Sequence, residues 1–119
     1  MLQVRTKQQN AFEENAFGKY AERMRSFLTS NYPDQTLGFS EDEWNLLISE
    51  QTKRAQSFGI MFEDDIAQFL EYCIEYGSDF GEVEATPWAA QILEDEKLGG
   101  TEKLQQINDY ELFVNRKNT

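Results

Sequence analysis

Glu63-Asp64-Asp65-Ile66-Ala67-Gln68-Phe69-Leu70-Glu71-Tyr72-Cys73-Ile74-Glu75-Tyr76-Gly77 runs from three acids to a glycine, and its apolar residues recur with helical spacing. Ile66, Phe69, Leu70, Cys73 and Ile74 fall at i, i+3, i+4, i+7 and i+8, which gathers them on one side of a 3.6-residue helix. The three acids suit the positive end of a helix dipole, and Gly77 suits its far end. A strand would alternate every second residue, and this segment does not. A helix over 63–76 with one buried stripe is the expectation, and Cys73, inside the stripe, is expected in the core.

The same period appears on both sides. Upstream, Ser40 and Glu43 form a capping box, and Trp44, Leu47, Ile48, Ala55 and Phe58 supply an apolar face up to Gly59, the expected glycine just past the helix end. Earlier still, Thr6 and Gln9 read as another capping box. Phe12, Ala16, Tyr20, Met24 and Phe27 follow it, widened by Phe17, Ala21 and Leu28, until Tyr32-Pro33 stops the helix. Downstream, Thr86-Pro87 opens a short helix with Trp88, Ile92 and Leu93 as its apolar residues. Gly99-Gly100 breaks the chain, Thr101 caps a last helix, and Leu104, Ile107, Glu111 and Val114 share one line beside Tyr110. The segment from Ser78 to Ala85 is the least regular. No Val/Ile/Thr-rich alternation marks a strand. The expectation is all-α: a single-domain bundle of about five helices over residues 1–119, near 6–30, 41–58, 63–76, 87–95 and 102–115.

Composition narrows the function. The chain has 119 residues, 16 of them aromatic, and its periodic apolar content is too high for a disordered acidic tail. Its 22 acids against 11 cations give a net charge of −11. From Ala55 to Glu96 there is no Lys, Arg or His, and that stretch holds 11 acids, equal to the whole excess. Nucleic acid and anionic lipid both need clustered cations, so neither is an expected partner. No apolar run reaches the ~20 residues of a membrane span, and no signal-like segment opens the chain, so a cytoplasmic location is expected. With no histidine, the usual general base, metal ligand and nucleophile partner are missing. Cys73 is the lone cysteine, and no phosphate-binding glycine loop is present. The expectation is a non-enzyme without catalytic residues, cofactor or metal.

The acids divide by local cost. Glu41-Asp42-Glu43 and Glu63-Asp64-Asp65 sit at expected helix starts, where carboxylates stabilise. Glu71 and Glu75 face each other at i, i+4 as like charges. Glu94-Asp95-Glu96 lie at a helix C-terminal end, where the dipole opposes them. These two groups run against local preference and point either to internal pairing with Lys19, Arg23 or Arg25, or to a partner. Trp88 reads as core or as an interface anchor with Phe80 and Val83, and the two are compatible if its ring is only partly buried. The expected protein-binding surface is therefore Glu71, Glu75, Asp79, Phe80, Glu82, Glu84, Trp88, Glu94, Asp95 and Glu96.

The stretch from Arg54 to Asp95 resembles a family of small acidic helical proteins encoded in bacterial type VI secretion gene clusters, beside VgrG or PAAR spike proteins and toxic effectors. The resemblance lies in Arg54-Ala55, Phe58-Gly59-Ile60, Glu63-Asp64-Asp65, Gly77-Ser78-Asp79-Phe80 and Pro87-Trp88-Ala89-Ala90-Gln91-Ile92-Leu93-Glu94-Asp95, with Tyr32-Pro33 upstream. Met61-Phe62 stands where the family has a polar pair, and the tail beyond Gly100 has no counterpart. The resemblance implies an effector adaptor or chaperone, or alternatively a cytoplasmic immunity protein that occludes a toxin. The implied partner is a secreted effector, toxin or spike protein with a basic surface.

Overall fold

The computed structural model describes the backbone of residues 2–115 and the side chains of residues 16–114. The chain is all-α, as its periodicities predict, and no strand occurs among the described residues. Its contacts gather into two compact units, one reaching to Trp44 and one from Asn45 onward.

The first unit holds α1 (Leu2–Asn31), α2 (Pro33–Thr36) and the start of α3 (Glu41–Asn45). Helix α1 already begins at Leu2, so Thr6 is interior to it rather than its cap. The side-chain exchange expected between Thr6 and Gln9, and the place of Phe12, lie outside the described residues. Of the expected stripe, Met24 and Leu28 are buried and Tyr20 is half-buried, while Ala16, Phe17 and Phe27 are exposed. Pro33, which has no amide hydrogen, opens α2 at a position where none is needed. The capping box at Ser40 is reciprocal: Glu43 N donates to Ser40 Oγ at 3.1 Å, and Ser40 N donates to Glu43 Oε1 at 3.2 Å. Trp44 is buried, edge-on to Phe39 with ring centroids 5.1 Å apart. The Arg25 guanidinium lies 5.2 Å from the Trp44 ring and pairs with Glu41.

The second unit carries a π-helical turn (Leu46–Glu50), α4 (Gln51–Ser57), α5 (Glu63–Tyr76), α6 (Pro87–Leu93), α7 (Gly100–Tyr110) and a second π-helical turn (Glu111–Asn115). Helix α5 matches the predicted 63–76 at both ends. It packs against α4 and α7, and α7 packs in turn against α6. Ile66, Phe69, Leu70 and Cys73 are buried as their spacing predicts, Ile74 of the same stripe is only half-buried, and Tyr72 joins the core. Each such fully buried large apolar side chain stabilises by about 1.5–3 kcal/mol.

The predicted helix over 41–58 arrives as α3, a π-helical turn and α4 in succession. Its apolar stripe has a gap between Ile48 and Ala55, and the structure fills that gap with polar side chains: Gln51 and Thr52 are both buried. At the end of α4, Gly59 takes φ +83°. Gly59 N donates to Gln56 O and Ile60 N reaches back to Ala55 O, which is a Schellman ending with its apolar pair Ala55 and Ile60 both buried.

One predicted cap is corrected, and a second holds by position without its side-chain bond. Helix α7 starts at Gly100 with Gly99 as N-cap, not at Thr101, and Glu102 Oε1 accepts the Gly99 amide at 2.9 Å. Thr101 instead donates its hydroxyl to Asp65 at 2.6 Å. Thr86 is the N-cap of α6 by position, yet its buried hydroxyl accepts from Gly81 N at 2.7 Å rather than from the helix.

Candidate protein-docking surface

The segment from Gly77 to Thr86 is irregular but not loose. Its backbone closes a series of turns, Phe80 N to Gly77 O, Glu82 N to Asp79 O and Thr86 N to Glu82 O. Two side chains of α4 hold it from below. Arg54 donates to Ser78 O at 3.0 Å and to Phe80 O at 2.6 Å, and Gln51 donates to Ser78 O at 3.0 Å while accepting from Arg54 at 2.7 Å. Charged donors on carbonyl oxygens are among the stronger hydrogen bonds in proteins. The half-buried Arg54 also lies 5.7 Å from the Phe69 ring. The turn is thus pinned to α4, and its side chains are presented from a fixed frame.

Phe80 points inward from this frame. It is fully buried, stacked on Tyr72 at 5.1 Å and on Tyr76 at 5.5 Å, and edge-on to Phe69 at 5.7 Å. The expectation that Phe80 meets a partner is therefore corrected: its ring is taken up by the aromatic core. Val83 is the exposed apolar residue of the turn, at 62%.

Trp88 is half-buried, so its core and interface readings are compatible. Its ring meets Tyr76 edge-on at 5.8 Å and stacks on Tyr110 at 4.7 Å with 5° between planes. The core face of α6 is Ala89, Ala90 and Leu93, all buried, rather than the expected Trp88, Ile92 and Leu93. Trp88 and Ile92 stand at the margin instead. With Gln91 they form one wall of an open groove of about 540 Å³, and Gln106, Asp109, Tyr110 and Phe113 form the other. Phe113 is 67% exposed. Tyr110 was visible in the sequence beside the last apolar line. Gln106, Asp109 and Phe113 share its helical spacing, but two of them are polar and carry no apolar signal in the sequence.

The expected acids fall into two groups. Asp79, Glu82, Glu84, Glu94 and Glu96 are exposed. The others have work within the fold. Asp95 is half-buried, and its Oδ1 accepts from Lys97 N at 2.9 Å, closing the turn after α6. Glu71 is half-buried and Glu75 exposed, and both are engaged by other groups of the protein. Glu75 is one of the charges that raise the Tyr72 pKa above its ordinary value, after burial and Glu111. Between residues 55 and 115 the chain has 14 acids and two cations, Lys97 and Lys103. Lys103 is buried, with its Nζ on Phe58 O at 2.8 Å, so Lys97 is the one cation that this span leaves exposed among the described residues.

Two polar or reactive groups sit behind the surface. Tyr76 donates its hydroxyl to the buried Glu111 carboxylate at 2.8 Å. Burial pushes the Cys73 thiol up to about 12, only slightly offset by Arg54, so it stays protonated at neutral pH. No cluster of three or more potential metal-ligating His, Cys, Asp or Glu occurs among the described residues, and no described helix is long and apolar enough to cross a membrane. The arrangement offers shape, aromatic edges and negative charge, which are means of recognition. Comparison with protein-family models, with curated proteins and with solved structures finds no match to this chain.

Proposed function

We propose that this chain is a non-catalytic, protein-binding accessory factor that recognises a basic partner through an acidic surface on the turn from Asp79 to Glu84 and the end of α6. The observation that carries the reading is the exposed set Asp79, Glu82, Glu84, Glu94 and Glu96, in a stretch of chain without a cation from Ala55 to Glu96. Exposed acids at this density repel one another and lower stability, and a basic partner relieves that repulsion while gaining a faster encounter. In the type VI secretion setting that the family resemblance implies, the partner is a secreted effector or spike protein and the chain acts as its cytoplasmic adaptor or chaperone.

The test is binding to the products of neighbouring genes over a range of salt. Affinity is expected to fall by roughly tenfold or more between low and high ionic strength as exposed charges are screened. The combined substitution Glu82→Lys, Glu84→Lys, Glu94→Lys and Glu96→Lys is expected to weaken binding while leaving the far-UV circular dichroism unchanged. Salt-independent affinity removes the electrostatic reading. Co-expression with the neighbouring toxin separates the two roles: loss of effector stability or export without this chain marks an adaptor, and rescue from killing with export untouched marks an immunity protein.

A further inference from the structure

We propose that the groove between α6 and α7 receives a basic amphipathic helix of the partner, with its apolar side chains on Trp88, Ile92 and Phe113 and a Lys or Arg on the Asp109 carboxylate. The inference rests on the protein-binding reading above and names the site and the chemistry of what binds. The groove walls are two helical ridges. Trp88, Gln91 and Ile92 lie at i, i+3 and i+4 on one, and Gln106, Asp109, Tyr110 and Phe113 at i, i+3, i+4 and i+7 on the other. The longer ridge covers about two helical turns, roughly 10 Å, which is the length that anchors at i, i+3/i+4 and i+7 of a docked helix require. An open groove of this kind leaves a small ligand largely in water, whereas small-ligand sites bury most of theirs.

The aromatic floor is set in advance. Trp88 is stacked on Tyr110 and backed by Tyr76 and Phe80, at 5.8 and 6.2 Å between ring centroids. Little side-chain freedom is left to lose on binding, and half-buried Trp and Tyr are the residue types that dominate binding energy. Charge selects the occupant. Among the described lining residues Asp109 is the one charged side chain, and α6 contains no ionisable residue. The cation of α7, Lys103, is held on Phe58 O, and the exposed Glu84 and Glu94 lie just before and just after α6 in the chain. Lys97, also exposed, is an opposing charge, and Arg116 and Lys117 follow Phe113 in the chain. A second copy of the chain brings another net charge of −11, so self-docking is electrostatically opposed.

The probe is a synthetic helical peptide with Leu at i, i+3, i+4 and i+7 and Lys on its flanks, titrated into the full chain and followed by calorimetry and by amide and indole chemical shifts. Two control peptides accompany it: one of the same composition scrambled to destroy the apolar face, and one with Glu in place of Lys. The expected result is binding by the first peptide alone, with shifts at the Trp88 indole, Gln91, Gln106 and Asp109. Asp109→Arg and Gln106→Arg, both at exposed positions, are expected to weaken it about tenfold, and Glu82→Arg, the same change of charge as Asp109→Arg, by less than half as much. Equal binding of either control peptide overturns the proposal, and so does no binding at millimolar peptide. Shifts confined to Glu82 and Glu84 with Asp109→Arg neutral also overturn it, while leaving the acidic-surface reading standing. A dimer in light scattering that Asp109→Arg dissociates assigns the groove to a second copy and overturns it as well.

Discussion

At the residue scale, Gly81 is the position least tolerant of a side chain in the turn. Its φ is +89°, and a Cβ there would lie 2.6 Å from Leu93 Cδ1. Gly59 has a similar φ of +83° with open space around it. Gly59→Ala is therefore expected to cost about 1–2 kcal/mol in backbone strain, and Gly81→Ala about 1–3 kcal/mol more as Leu93 is displaced. Urea denaturation of both variants measures the difference as a shift in midpoint at unchanged slope. Cys73 makes a second prediction. Its folded pKa of about 12 exceeds the ordinary thiol value of 9.0. Below pH 9 both the folded and unfolded thiols are protonated and the contribution is complete. Above it the unfolded thiol ionises first, so stability is lost by up to about 1.4 kcal/mol per pH unit toward pH 12. Tyr72, raised chiefly by burial and then by Glu111, adds a like loss from its ordinary value of 10.0 upward. Thermal unfolding is expected to start falling near pH 9 in the native chain and nearer pH 10 in Cys73→Ala. A thiol reagent at pH 7 is expected to label Cys73 only after unfolding.

At the scale of elements, the contact that matters most for the surface is between α4 and the turn after α5. Arg54 holds two carbonyls of that turn and the Gln51 side chain with one planar guanidinium. A lysine has no second arm in that plane. Arg54→Lys is expected to cost about 1.5–3 kcal/mol, the worth of a hydrogen bond to a charged donor, and to raise hydrogen exchange at the Gly81 amide, whose bond to Thr86 depends on the turn's shape. Retention of wild-type exchange would show that the turn's own hydrogen bonds suffice. This device was only half legible in the sequence. The irregularity of 78–85 and the helix signals on either side were plain. Arg54 and Gln51 were not, because a polar residue in an apolar stripe looks like a flaw until its distant acceptor is known.

Across the whole molecule, negative charge sets the response to salt. With a net charge of −11, added NaCl is expected to raise the unfolding temperature by a few degrees between about 10 and 300 mM, because screening weakens repulsion that the folded state concentrates. A falling temperature would show that internal ion pairs outweigh the repulsion. Arg25→Ala is expected to change stability by well under 1 kcal/mol through its pair with Glu41, since those side chains are 45% and 74% exposed.

By itself the sequence determined the all-α class, both ends of α5, the reciprocal cap at Ser40 and the glycine ending of α4. Each of these depends on residues within a turn or two of one another, where helical period, caps and backbone freedom act directly. Tertiary structure alone decided the direction of the aromatic side chains. Phe80 went into the core while Trp88 and Ile92 were left at its edge, and Ala89 and Ala90 took the buried face of α6, which packs against α7. The same packing brought Gln106, Asp109, Tyr110 and Phe113 opposite α6, pairing ridges that lie far apart in the chain. Periodicity reports which residues of a helix share a face; which helix that face meets is fixed only when the elements pack.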